Sequence, residues 1–279
     1  MPRFTITFGT RGAPPVLPNT EPIELVNGAA LVYENSLWRV RVEVTAADQK
    51  EAGGQARQFA NSALALVQVF MVNMSNPFRF FVDDALAPSI IDSSGNTLTP
   101  TSIPLETGLS IFVNAPGNLE KSLADLSRLP QDLGTRREWK DCRLVLHYFA
   151  SALKENDGLY RFLNYISAIE AMLSEPGETT EKICRRLAVL VSSRTEFRDM
   201  QSTFDSFKDY YNTRSDILHG KAIPNVSTQQ VDDVAQLARI AVRNYLLLRS
   251  TLDQKVVKEK LDKFFDQVKI DEIRRDTAF

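Results

Sequence analysis

Histidine and cysteine are scarce in this chain: 279 residues carry only two of each, His147 and His219, Cys142 and Cys184. The cysteines lie far apart and outside any metal-ligand spacing, which argues against a disulfide scaffold or a zinc ribbon. Two histidines leave few places for imidazole chemistry. No charge of one sign dominates either. The 33 basic and 35 acidic residues give a net charge of −2, so the chain as a whole does not attract nucleic acid or an anionic membrane, and any polyanion site must be a local cluster. Long apolar runs are missing. The most apolar stretch, Ala63 to Met74, is interrupted by Gln68 and Asn73 and is too short to span a bilayer. The opening string MPRFTITFGTRGAPPVLP lacks the apolar run of a signal peptide. The expectation is a cytoplasmic protein in a reducing compartment, with no membrane partner. Gly53-Gly54 opens a helix, but no Gly-x-Gly-x-x-Gly or Walker lysine follows, so this pair reads as a loop or cap.

What is present suits a globular protein with a real core: 43% hydrophobic and 24% charged residues. At roughly 150 residues per domain, the length points to two domains. The character of the sequence changes near residue 115. Before it, short extended runs alternate with turn residues. Ile23 to Val26 and Ala30 to Tyr33 flank Asn27-Gly28, a strong hairpin signal. Leu37 to Val44 alternates in the manner of a half-buried strand, Gly53 to Met74 has helical periodicity, and Phe78 to Val82, Ser89 to Asp92, Thr97 to Thr99 and Leu109 to Asn114 read as further strands. Residues 1–115 are therefore expected to form a small α+β domain. After Pro116 the strand signals stop. Leu119 to Leu129, Arg137 to Lys154, Leu159 to Leu173, Thr180 to Val191, Phe197 to Leu218, Gln229 to Thr251 and Val256 to Ile270 have helical spacing, separated by Pro130, Asp157-Gly158, Pro176-Gly177 and Gly220 to Pro224. Residues 116–279 are expected to form an all-α bundle.

Two of these helices carry charges where apolar residues belong. Phe197, Met200, Phe204, Phe207 and Tyr211 form a stripe that continues through Arg214 to Leu218. A permanently charged side chain on such a face needs a partner. Leu159, Phe162, Leu163, Ile166 and Leu173 form another, interrupted by Glu170. Opposite charges on two apolar faces of one bundle predict a Glu170–Arg214 pair. On those residues alone, the pair reads equally as a structural salt bridge. His219 adds chemistry. It follows Arg214 by five residues, an offset of ~140° and ~7.5 Å on a continuous helix. Gly220 and Pro224 mark the helix end, so unwinding of the last turn is expected to swing His219 towards Arg214. A guanidinium that neutralises phosphate oxygens and an imidazole that titrates near neutral pH together suit phosphodiester cleavage. The competing reading of a histidine at a helix end is a cap or a cation favoured by the helix dipole.

The string Tyr211-Asn212-Thr213-Arg214-Ser215-Asp216-Ile217-Leu218-His219-Gly220, preceded by a helix containing Ile169-Glu170-Ala171-Met172-Leu173, resembles the HEPN superfamily. It is most similar to the Apea-like branch, in which a Tyr-x-x-Arg-Ser-x-x-x-His-Gly string follows a helix bearing a glutamate. The resemblance covers roughly residues 137 to 255. It implies a helical bundle that forms a homodimer with two such motifs facing each other across a shared cleft. It also implies metal-independent, cofactor-free endoribonuclease activity of the kind found in antiphage and toxin–antitoxin systems. Arg214 would then bind the scissile phosphate, and His219 would act as general acid or base. Ser215 would support the phosphate or the motif geometry, and Glu170 and Tyr211 would be supporting residues. The RNA 2′-OH would attack its own phosphate, leaving a 2′,3′-cyclic phosphate and a 5′-OH. One candidate histidine per chain suffices for acid and base only if two chains combine.

Asp216 places a carboxylate beside the motif, and Lys221 is positioned to offset it. Arg185 and Arg186, with Arg194 and Arg198, form a basic segment near the motif helix. A solvated face is the plain reading, and Arg185, Arg186 and Lys221 are the candidates for RNA backbone contacts. The alternative to a nuclease is a catalytically silent HEPN-like dimer that binds or scaffolds. Residues 1–115 are expected to receive a regulatory protein or ligand.

Overall fold

The computed structural model describes residues 1–11, 22–34, 37–70, 81–82, 88–97, 124–133, 135–192, 197–221 and 226–276. A small antiparallel sheet comes first and a series of helices follows. The chain divides into two compact units, Met1–Lys154 and Glu155–Phe279. The expected boundary near residue 115 lies outside the described residues.

In the first unit the strands are β1 (Arg3–Arg11), β2 (Ile23–Glu24), β3 (Ala29–Glu34), β4 (Leu37–Thr45), β5 (Phe81–Val82) and β6 (Ser89–Asp92). They join in the order β2-β3-β4-β1-β5, with β6 also paired to β1. Strand β1 is central to the sheet, paired with β4, β5 and β6. Its register sets Phe4, Ile6 and Phe8 opposite Val44, Val42 and Val40 of β4, and all six are buried. The period of two thus builds one apolar face from two strands. Asn27 and Gly28 have φ of 60° and 66°, and the Ala29 amide donates to the Val26 carbonyl at 3.2 Å. This is the tight turn that the Asn-Gly pair predicts.

The helix α1 (Gln49–Phe70) begins earlier than its periodicity suggests, because Asp48 caps it by accepting from the Glu51 amide at 2.8 Å. Its alanines Ala52, Ala56, Ala60 and Ala63 are fully buried, and Arg57 lies over the Phe8 ring at 5.7 Å. Small residues at a spacing of four and three let the helix axis approach its neighbours closely. The helix α2 (Lys140–Lys154) belongs to this unit and packs on α1, and its residues Cys142, Val145, Leu146, Phe149 and Leu153 are buried. The predicted strand Leu109 to Asn114 lies outside the described residues, as do residues 78–80 of Phe78 to Val82 and 98–99 of Thr97 to Thr99.

The second unit consists of α3 (Gly158–Leu173), α4 (Thr180–Val191), α5 (Phe197–Leu218), α6 (Thr228–Arg249) and α7 (Gln254–Asp276). Asp157 caps α3 by accepting from the Leu159 and Tyr160 amides, and Ser227 with Gln230 forms a capping box at the start of α6. The core contains Phe162, Ile166, Ile169, Leu187, Phe207, Val242 and Tyr245. Among the described residues, no helix is long and apolar enough to cross a membrane.

Candidate functional site

The two charges that interrupt apolar stripes do meet. Arg214 Nη2 of α5 donates to Glu170 Oε2 of α3 at 2.7 Å. The other carboxylate oxygen, Oε1, accepts from the Tyr211 hydroxyl at 2.5 Å. Tyr211 precedes Arg214 by three residues, so both side chains fall on one face of α5, and the guanidinium lies over the tyrosine ring at 5.5 Å. The side chains of Arg214 and Glu170 are 25% and 19% exposed, at the edge of the bundle rather than in its core. Among the described residues, Arg214 Nε and Nη1 have no hydrogen-bond partner. Burial, together with the hydrogen bond and charge of Glu170, pushes the Tyr211 phenol up to about 12. Its neighbour Tyr210 faces another way. Its hydroxyl donates to Asp233 of α6 at 3.0 Å, and its ring meets Phe162 edge-on.

His219 does not join this cluster. The last turn of α5 stays wound: the His219 amide donates to the Ser215 carbonyl at 3.0 Å. Gly220, with φ of 65°, then closes the helix. Its amide reaches the Ile217 carbonyl at 3.2 Å, and the Lys221 amide reaches the Asp216 carbonyl at 3.0 Å. These two bonds make a Schellman cap, with His219 as the cap residue. The expected unwinding is thereby corrected, because the glycine satisfies the end carbonyls without disturbing the turn before it. On an unbroken helix Arg214 and His219 remain ~140° apart around the axis. His219 is exposed, and its imidazole has no partner among the described residues. Leu218, expected to extend the apolar stripe, is 56% exposed.

The remaining candidates separate by burial. Ser215 is half-buried. Lys221 Nζ donates to Asp216 Oδ1 at 3.1 Å on an open surface, so it offsets that carboxylate as expected. Arg185 pairs with Glu181 and with Asp266 and lies over the Phe265 ring. Arg186 is not available to an RNA backbone, which corrects its reading as a contact. Its side chain is 3% exposed, and all three of its nitrogens are committed to protein oxygens. Two carboxylates hold it, Glu178 and Asp262 of α7, together with the Leu173 carbonyl. Burial works against its charge, but the bonds to Asp262 and Glu178 outweigh that and raise its pKa. A neighbouring amine, Lys258 of α7, is also buried; it donates to the Ser174 carbonyl at 2.6 Å and pairs with Glu175 at 3.6 Å. The sequence reading missed this clasp. Its signal was available in the spacing of Ile183, Arg186 and Leu190, which sets the arginine on the apolar face of α4.

The chain matches no protein family, no curated protein and no solved structure among those it was compared with. Among the described residues, no three His, Cys, Asp or Glu side chains gather into a group fit to hold a metal ion. The described arrangement offers an oriented guanidinium with free donors and, separately, an exposed imidazole at the end of the same helix.

Proposed function

We propose that the helical unit is a HEPN-type endoribonuclease that works as a homodimer without a metal or other cofactor, in antiphage defence or a toxin–antitoxin setting. The observation that carries this reading is the half-committed Arg214. Glu170 fixes the guanidinium through one nitrogen, and Nε and Nη1 are left to receive a phosphate. His219 supplies a proton-transfer group from an exposed position. Because α5 keeps the two side chains on different sides, Arg214 and His219 act together across a dimer cleft, one from each chain. Two such pairs provide the base that activates the 2′-OH and the acid that protonates the leaving 5′-oxygen. Ser215 supports the phosphate, and Arg185 and Lys221 flank the RNA backbone.

One observation favours a second reading, a silent HEPN-like dimer that binds or scaffolds: His219 caps α5 and makes no contact with Arg214. Mixed RNA incubated with the purified protein in the presence of EDTA separates the two. The nuclease reading expects cleavage that leaves 2′,3′-cyclic phosphate ends and disappears in His219→Ala. It fails if no cleavage occurs or if His219→Ala cleaves like the wild type. A protein that stays monomeric at micromolar concentration counts against it.

A further inference from the structure

A carboxylate and a guanidinium frequently pair through two parallel hydrogen bonds. Glu170 and Arg214 do not. Only Nη2 is engaged, and the second carboxylate oxygen accepts from the Tyr211 hydroxyl instead. The same tyrosine ring lies against the guanidinium and restricts its tilt. We infer that Tyr211 is a positioning residue whose hydroxyl, bonded to Glu170 Oε1, and ring, set against the guanidinium, together hold the Glu170–Arg214 pair to one point and keep Arg214 Nε and Nη1 free for a phosphate dianion or phosphodiester. This rests on the reading of Arg214 as the phosphate-binding residue and adds what holds it available.

The chemistry follows from counting donors and acceptors. A guanidinium has five N–H donors in a fixed fork, and a two-point pair with a carboxylate commits two of its nitrogens. Each carboxylate oxygen has two lone pairs, so the Tyr211 hydroxyl does not exhaust Oε1; it competes with the guanidinium there, while the ring at 5.5 Å opposes the rotation a second bond would need. Removing the hydroxyl frees an acceptor within reach of a cation that has unused donors. The arginine then turns into its own carboxylate, and an incoming anion competes with Glu170 for the same N–H groups. Removing the carboxylate charge acts in the opposite direction. Glu170→Gln releases the arginine, strengthening anion binding while loosening orientation. A tyrosine that served only to fill space would give neither effect in Tyr211→Phe, which keeps the ring.

The test is a titration of the full-length protein with inorganic phosphate, followed by the arginine Nε–H signals in nitrogen-15 NMR, with Arg214 assigned by its loss in Arg214→Lys. The expectation is a saturable shift in wild type, affinity weakened ~5-fold or more in Tyr211→Phe, and affinity restored in the double variant Tyr211→Phe, Glu170→Gln. Glu170→Gln alone binds phosphate as tightly as wild type or more tightly, and it remains informative if Tyr211→Phe fails to fold. The inference is overturned if Arg214 does not respond to phosphate, if Tyr211→Phe binds within twofold of wild type, or if Glu170→Gln loses binding. Parallel RNA cleavage distinguishes the two levels. Cleavage that Tyr211→Phe leaves unchanged in KM and kcat removes this role and keeps the nuclease. The expected phosphate series without any cleavage removes the nuclease and keeps the tyrosine's role.

Discussion

Arg186 of α4 and Asp262 of α7 stand 76 positions apart in sequence and meet through two hydrogen bonds, Nε to Oδ1 at 2.8 Å and Nη2 to Oδ2 at 2.7 Å. Glu178 takes the other side of the same guanidinium, with Nη1 to Oε2 at 2.6 Å and Nη2 to Oε1 at 2.8 Å. One buried cation therefore ties the start of α4 to the last helix. Lys258 adds a second tie from α7 to the segment after α3. The otherwise polar helix α7 is fixed by these charges as well as by its apolar residues Val257, Leu261, Phe265 and Val268.

Truncation of Arg186 should cost more than its hydrophobic replacement would suggest. Arg186→Ala leaves the Glu178 carboxylate, 10% exposed, without its main counter-charge, and the loss is about 3–5 kcal/mol by denaturant unfolding. Replacing the arginine together with Glu178 and Asp262 by apolar residues recovers most of that loss. A single variant with no change in unfolding midpoint would contradict the clasp.

Acid should weaken the same region. Burial favours the neutral form of Glu178, but the hydrogen bond and charge of Arg186 outweigh it and hold the carboxyl below its usual 4.5. A folded-state pKa below the unfolded one means stability present above pH 4.5 and lost as pH falls through the lower folded value. Unfolding midpoints followed from neutral to acid pH should drop in that window, and less steeply in Glu178→Gln.

Alkali should act through Tyr210 and Tyr211. Both phenols are pushed from 10 up to about 12, each first by burial and then by a carboxylate acceptor, Asp233 and Glu170 respectively. A raised folded-state pKa gives stability that is complete below pH 10 and is lost as pH rises towards 12. Phenolate absorbance should show a late-titrating component near pH 12, and Tyr211→Phe should reduce it.

The glycines at two turns should differ in their tolerance of a methyl group. Gly220 has φ of 65° and open space around it, so Gly220→Ala costs only backbone strain, about 1 kcal/mol. Gly28 has φ of 66° and its added Cβ would sit 3.2 Å from the Glu43 carbonyl oxygen. Gly28→Ala should therefore cost more. Thermal unfolding of the two variants checks the order.

Local chemistry in the sequence accounts for the Asn27-Gly28 turn, whose two residues tolerate positive φ, and for the helices, whose apolar spacing survives any particular packing. The Glu170–Arg214 pair was legible for a related reason. Each charge sits on an apolar stripe, and such a position demands a partner of opposite sign. What the sequence could not decide depended on partners far along the chain. Strand β1 is fixed only by pairing with β4, β5 and β6, which are distant from it in sequence. Arg185 and Arg186 are adjacent and chemically alike, yet the helical turn of ~100° between them sends one to the surface and the other between two carboxylates. His219 shows the limit most clearly. Its sequence neighbourhood suits catalysis, but the cap at Gly220 keeps α5 wound and holds the imidazole away from Arg214. Residue types and periodicity set which groups are available; the long-range pairing of helices and strands decided which of them face one another.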